Sequence, residues 1–157
     1  FVIGRKNKDY VLEAAERLKD FRIAIEFRNE SWLNERNREE TLSFLEDYDL
    51  PIVCVDMPQG FRSSIPRFAA ATAKDLSMVR FHGRDAEVWA KKNVSASERF
   101  RYRYSQDELS EWVKPISELS EQTRETHVLM NNCYRDYAVN NARQLGDLLR
   151  VELEREE

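Results

Sequence analysis

The sequence predicts an α/β fold in which parallel strands alternate with helices. Three observations carry the prediction. Apolar residues at helical spacing and at alternating spacing follow one another along the chain. Charged and amide side chains gather at the late end of each strand-like segment. The connections between strands are long enough for crossovers rather than hairpins.

From Asn7 to Lys19, Tyr10, Val11, Ala14, Ala15 and Leu18 recur at three and four residues, the period of an amphipathic helix. Arg22 to Arg28 then alternates, with Ile23, Ile25 and Phe27 on one face and Ala24, Glu26 and Arg28 on the other, which predicts a first strand. A second helix is expected from about Asn37 to Tyr48 on Thr41, Leu42, Phe44, Leu45 and Tyr48, and Pro51 then opens the strand run Ile-Val-Cys-Val-Asp56. Pro58, Gly60 and Pro66 break the next segment and leave room only for a short helix over Arg67 to Ala73.

Ser77 to His82 is the third expected strand. Gly83 to Tyr104 is too long for a plain connection and is expected to be a functional or mobile loop. Ser105 and Glu108 have the capping-box spacing, and Leu109, Trp112, Val113, Ile116 and Leu119 trace a helix that Pro115 should kink. His127 to Asn132 reads as a fourth strand. Ala138, Ala142, Leu145, Leu148 and Leu149 mark a last helix, ending in the charged tail Glu152 to Glu157.

The chain has 157 residues, the size of one domain or part of one. It starts at Phe1 with a helix almost at once, as a piece cut from a longer chain would. Net charge is only −4 although 34% of residues are charged, so any affinity for anions must be local. No apolar run approaches a membrane span, and the start lacks the apolar core of a signal peptide. The two cysteines, Cys54 in an apolar run and Cys133 beside an Asn pair, do not form a disulfide framework; a cytoplasmic protein is the expectation.

Two architectures satisfy the pattern. A doubly wound sheet would usually carry a Gly-rich first turn, and no G-x-G-x-x-G occurs. A (β/α)8 barrel typically takes about 250 residues, so four strands would make half of one. In both, sites form beyond the carboxyl ends of the strands, where Glu26, Arg28, Asp56, Arg80, His82, Asn131 and Asn132 are placed.

The strand ends and their flanks read Ile25-Glu-Phe-Arg-Asn-Glu-Ser-Trp32, Val55-Asp-Met-Pro58, Val79-Arg-Phe-His-Gly-Arg84, Tyr102-Arg-Tyr-Ser105 with Glu111-Trp112, and Leu129-Met-Asn-Asn132 with Asn141-Ala-Arg-Gln-Leu145. In this order the motifs resemble the family of domain of unknown function seventy-two, also called YecE-like, across nearly the whole chain. The resemblance implies a TIM-type barrel of unassigned activity. It also implies that this chain is the second half of that barrel, a single partial domain of four parallel strands alternating with helices, completed by the missing half or by a second chain. The chain departs from the family pattern at Asn29-Glu30, where His-Pro is usual, and at Cys133, where His is frequent.

Glu26 and Arg28 share one face of their strand, and Arg80 and His82 repeat the arrangement on the third. These pairs read either as structural ion pairs at the barrel mouth or as a site. In the site reading Glu26 or Asp56 is a general base, His82 an acid or hydrogen-bond donor, and Arg28, Arg80 and Arg84 hold an anion. Arginines around the imidazole favour its neutral form unless a carboxylate lies near. Asp56 either joins this chemistry or caps a turn, and only one of Asn131 and Asn132 can face inward on a regular strand.

Trp32, Tyr102 and Tyr104 are candidate substrate contacts, with Trp89 beside them, and packing of the loop is the alternative. The run Arg99-Phe-Arg-Tyr-Arg-Tyr104, with Lys91 and Lys92 upstream, has the composition that stacks bases and holds phosphates. Its alternative reading is arginines paired with an acidic surface. His127 starts its strand at the wrong end to join His82, so a metal could be held only by carboxylates together with His82; none is assigned, and the cofactor is left open.

The functions that follow are an acid/base or hydrolytic enzyme for an anionic, phosphate-bearing or polyhydroxy substrate and, as the alternative, a nucleic-acid-binding protein using residues 99–104. A small anionic or sugar-like ligand is the first expected partner.

Overall fold

A computed structural model describes residues 1–156 of the chain. The elements are α1 (Arg5–Arg17), a 3-10 turn (Glu30–Trp32), α2 (Arg38–Asp47), β1 (Val53–Asp56), β2 (Leu76–Phe81), α3 (Ala86–Ala90), α4 (Ala96–Arg99), α5 (Gln106–Ser110), α6 (Val113–Gln122), β3 (Glu125–Met130) and α7 (Tyr137–Glu156). The fold is mixed α/β around one parallel sheet with order β1-β2-β3. Expected helices over Asn7–Lys19 and Asn37–Tyr48 form as α1 and α2, and the expected tail is helical to Glu156, with Glu157 outside the described residues.

The sheet has three strands rather than the four expected. The segment Arg22 to Arg28 is extended, but it joins β1 through one parallel bridge, Ile25 to Ile52. Ile25 N–H donates to the Pro51 carbonyl at 2.7 Å and Val53 N–H donates to Ile25 at 2.9 Å. Beyond that pair the segment carries Glu26 and Arg28 away on side-chain bonds instead of continuing the ladder.

The short helix expected over Arg67 to Ala73 is absent. Thr72 Oγ1 donates to the Leu50 carbonyl at 2.7 Å and accepts from Ile52 N–H at 2.9 Å, while the Cys54 thiol meets Ala70 N and O at 3.4 and 3.5 Å. These bonds hold the segment extended along β1, and tertiary contacts override local propensity.

The capping box at Ser105 and Glu108 forms, but the helix behind it divides at Glu111–Trp112 into α5 and α6. Pro115 lacks an N–H and its ring crowds the carbonyl four residues back, which is that of Glu111. It is accommodated in the first turn of α6.

The apolar core packs the sheet against α5, α6 and α7 and continues to α1, the 3-10 turn and α2 through Val11, Trp32, Phe44 and Leu45. Phe81 packs edge-on against Tyr104 and Trp112, with centroids 5.2 and 5.5 Å apart, and Leu109, Ile116, Leu119 and Leu145 fill around them. Each such aromatic or aliphatic side chain contributes roughly 1.5–3 kcal/mol on burial. Trp32, placed at the site by sequence, is instead core: it is fully buried, stacks on Phe27 at 4.1 Å, and donates its indole N–H to the Phe1 carbonyl.

Candidate functional site

Strand register decides which polar residues meet. Val55, Arg80 and Leu129 are partners across the sheet, and so are Asp56, Phe81 and Met130. Partners in a parallel sheet share a face and neighbours along a strand oppose. Arg80, His82 and Asn131 therefore share one face, joined by Glu26 and Arg28, whose neighbour Ile25 pairs with Ile52 on the other. Asp56 and Asn132 fall on the helix-covered face. The ladder runs one step past the strands, since His82 N–H donates to the Asp56 carbonyl and Asn131 N–H to that of Phe81, both at 2.8 Å.

Glu26 is the hub of the open face. Its Oε1 accepts from Arg28 Nη1 at 2.7 Å and lies 3.2 Å from His82 Nε2, while Oε2 accepts from Arg80 Nη1 at 2.7 Å. Asn131 Nδ2 lies 3.0 Å from His82 Nδ1. With the Asn131 amide donating to Nδ1, the proton of a neutral ring sits on Nε2, facing Glu26. The carboxylate nearest the imidazole is thus Glu26.

Burial works against the charge of Glu26, but hydrogen bonds from His82, Arg28 and Arg80 outweigh it and hold the carboxyl at about 2. So depressed a carboxylate is ionised and weakly basic at neutral pH. It holds both guanidiniums by hydrogen bonds. Two guanidiniums face this one carboxylate, and they remain accessible, Arg28 being 44% and Arg80 36% exposed.

The segment between β2 and α5 folds over this cluster. Trp89 on α3 is buried beside His82, with ring centroids 6.5 Å apart, and Phe100 lies 5.9 Å away on the same imidazole. Arg28 and Arg99 both lie over the Trp89 ring. His82 is thereby only 1% exposed. Gly83 permits the loop to turn: its φ is +89°, and a Cβ there would stand 2.6 Å from that of Tyr102.

Asp56, Arg84, Tyr102, Tyr104 and Asn132, read from sequence as site residues, do not join the open face. Asp56 is fully buried and saturated. Arg84 holds both its oxygens, Tyr104 Oη donates to Oδ1 at 2.8 Å, and Trp112 Nε1 donates to Oδ2 at 2.7 Å. Arg84 also meets Glu111 at 2.8 Å, and Arg67 bridges Asp56 and Glu111. Burial opposes the Arg84 charge, but Asp56 and Glu111 raise its pKa further still.

Tyr104 accepts from Gly83 N–H and Tyr102 donates to Glu108, so both rings pin the loop to the scaffold. Asn132 Nδ2 donates to the Tyr102 carbonyl and to Asn141 Oδ1. The face of Asp56 follows from strand register, which pairs it with Phe81, and not from any pattern within its own strand. The role of Glu111 and Trp112 in closing the network had no local signal.

The alternation in the Arg99 to Tyr104 run does sort its side chains. Tyr102 and Tyr104 point inward, while Arg101 and Arg103 are exposed and lie over Tyr134 and Tyr137. Arg99 donates to the carbonyls of Trp89 and Lys91. Among the described residues no group of three or more His, Cys, Asp or Glu is placed to hold a metal ion, both cysteines are free thiols, and no helix is long and apolar enough to cross a membrane.

A family model described as protein of unknown function DUF72 matches residues 3–157. UPF0759 protein YunF of Bacillus subtilis (strain 168) is 34% identical over 155 residues, which are 97% of this chain and 55% of that protein. A crystal structure of DUF72 family protein EF0366 from Enterococcus faecalis V583 superposes with a TM-score of 0.87 at 30% identity, covering 96% of this chain and 55% of that one. DUF72 family protein TM1631 from Thermotoga maritima MSB8 gives 0.79 at 33% identity, covering 96% and 54%. The chain spans about half the length of these relatives. Its motifs, its sheet and these likenesses agree: it belongs to the DUF72 family of proteins of unknown function.

Proposed function

We propose that the chain supplies the second half of a (β/α)8 barrel whose mouth binds a small anionic substrate, phosphate-bearing or polyhydroxy, and turns it over by acid/base or hydrolytic chemistry. The single observation that carries the reading is the convergence of Arg28 and Arg80 on Glu26 with His82 behind them. One carboxylate against two accessible guanidiniums leaves a local surplus of positive charge in a chain of net −4.

In this reading Arg28 and Arg80 receive the anion through charge-assisted hydrogen bonds. Glu26 fixes both guanidiniums and faces the His82 Nε2 proton, and Asn131 holds the opposite side of the ring. His82 is the proton donor and acceptor, and Trp89 and Phe100 exclude water around it. Arg84 and Asp56 brace the loop instead of touching substrate.

The half-barrel assignment is supported by three parallel strands plus the bridged Arg22–Arg28 segment, and by relatives nearly twice as long. The remaining half, from a longer chain or a second copy, completes the mouth.

The test is a turnover screen of phosphate esters, with neutral glycosides as the comparison. His82→Asn should abolish turnover and leave substrate binding in place, and Arg28→Ala should raise KM at least tenfold. Turnover unchanged in His82→Asn would remove the imidazole from the mechanism.

A further inference from the structure

A second cationic surface lies outside the Glu26 and His82 cluster, on the loop after β3 and the outer edge of the segment before α5. Arg101 lies 4.6 Å over the Tyr134 ring and Arg135 lies 5.3 Å over the same ring. Arg103 lies 5.9 Å over Tyr137, and the two tyrosine rings meet edge to face at 5.4 Å. All three arginines are exposed, and none forms an ion pair with a described carboxylate. Of the carboxylates nearby, Asp136 accepts from Asn140, and Glu98 accepts from Ser95 and feels Arg101 only through space.

The surface is built rather than incidental. Tyr104 N–H donates to Asn141 Oδ1 and its carbonyl accepts from Asn141 Nδ2, while Asn132 holds the Tyr102 carbonyl. These bonds fix the strand-like alternation that turns Arg101 and Arg103 outward onto the tyrosines. Arg135 sits at φ 50°, a left-handed conformation unusual for a residue with a side chain, and from it the guanidinium reaches back across Tyr134. Two like charges gathered on one ring favour an anion between them.

We infer that this surface, made by Arg101, Arg103, Arg135, Tyr134 and Tyr137, binds single-stranded nucleic acid. Guanidiniums spread over two rings suit successive phosphates better than one compact anion. Tyrosine faces and arginine planes add stacking that is tolerant of base identity. What sets the patch apart is that its three guanidiniums gather on two touching tyrosine rings with no ion pair among them, whereas arginines such as Arg17, Arg22, Arg84, Arg124 and Arg150 are paired with carboxylates. The surface works independently of chemistry at His82, although Phe100, next to Arg101, leads from it to that imidazole.

The experiment is fluorescence anisotropy of a labelled short oligothymidylate against the protein at several salt concentrations. Three phosphate contacts predict a slope of log K against log salt of about −2. Arg101→Gln, Arg103→Gln and Arg135→Gln together should weaken binding at least tenfold at low salt and bring the slope near zero. Each single change should remove about a third of the slope, which keeps the test valid if the triple variant fails to fold. Tyr134→Leu should weaken binding with the slope intact.

Three results would overturn the inference. They are binding that does not weaken with salt, arginine variants that bind as the wild type does, and capture of anionic phosphatidylserine vesicles without oligonucleotide binding. Displacement of the oligonucleotide by equimolar inorganic phosphate would likewise reduce the surface to a simple anion site. Retained binding in His82→Asn is expected, so failure at the catalytic cluster leaves this result intact.

Discussion

His82 and Glu26 meet at 3.2 Å across 56 residues of sequence, and neither would hold its position without the other's neighbours. The bond exists because β2 and the bridged Arg22–Arg28 segment present alternate residues to the same face of the sheet. Its energetic consequence falls on Glu26, whose carboxyl is held far below its ordinary value of 4.5.

The first prediction is a pH dependence. The folded pKa of Glu26 is depressed to about 2, so its contribution is fully present above about 4.5 and is lost as pH falls from 4.5 toward 2. Urea denaturation at fixed protein concentration should show stability falling through that window. Glu26→Gln should be less stable at neutral pH, by on the order of 2 kcal/mol, and should lose much of the slope. An unchanged slope in the variant would place the titration elsewhere.

The buried Asp56 and Arg84 pair gives a second. Removing one charge leaves the other with more exposed charged partners, Glu111 among them for Arg84 and Arg67 for Asp56, and breaking a buried pair typically costs about 3–5 kcal/mol. Asp56→Asn should approach that loss, and the double variant with Arg84→Gln should be less destabilised than the sum of its parts. Additive losses in the double-mutant cycle would show that the two residues act separately.

Gly83→Ala provides a third. The new methyl meets Tyr102 Cβ at 2.6 Å from a backbone at φ +89°, so both strain terms oppose it. A loss of about 2 kcal/mol and a lower Tm are expected, with the loop before α5 displaced. A Tm equal to the parent's would mean that the loop shifts freely.

A fourth concerns the sheet's open face and edges. Leu129 is 43% exposed on the face shared with Arg80, and β3 has no strand beyond it among the described residues. The 157-residue chain produced alone is expected to self-associate rather than to stay monomeric. Sedimentation showing a monomer would contradict this.

Much of this architecture was legible in the sequence because the periodicities are local. The strands read at Ser77–His82 and His127–Asn132 form as β2 and β3, shifted by one and two residues, three-four spacing found α1 and α2, and the Ser105 and Glu108 pair marked the start of α5 to the residue. The helix expected at Arg67 to Ala73 failed because Thr72 and Cys54 bind backbone across the sheet, a contact no local rule contains.

The candidate site was legible in the same measure. Same-face pairing within a strand placed Glu26 with Arg28 and Arg80 with His82, and the structure joins all four. Asp56 was misplaced because its face depends on register between strands, which aligns it with Phe81 instead of with Arg80. Trp32 followed a strand end, yet its pairing with Phe27 and Phe1 draws it into the core.

The central claim is that Arg28 and Arg80 receive an anion in front of His82. Because the chain has two histidines, and His127 lies exposed beside Glu125, the second is a built-in control. Nitrogen-15 spectra of histidine-labelled protein titrated with inorganic phosphate test the claim most directly. The account predicts that the His82 ring signals shift saturably while those of His127 do not, and that Arg28→Ala with Arg80→Ala abolishes the shift. His82 signals unmoved at saturating phosphate would contradict it.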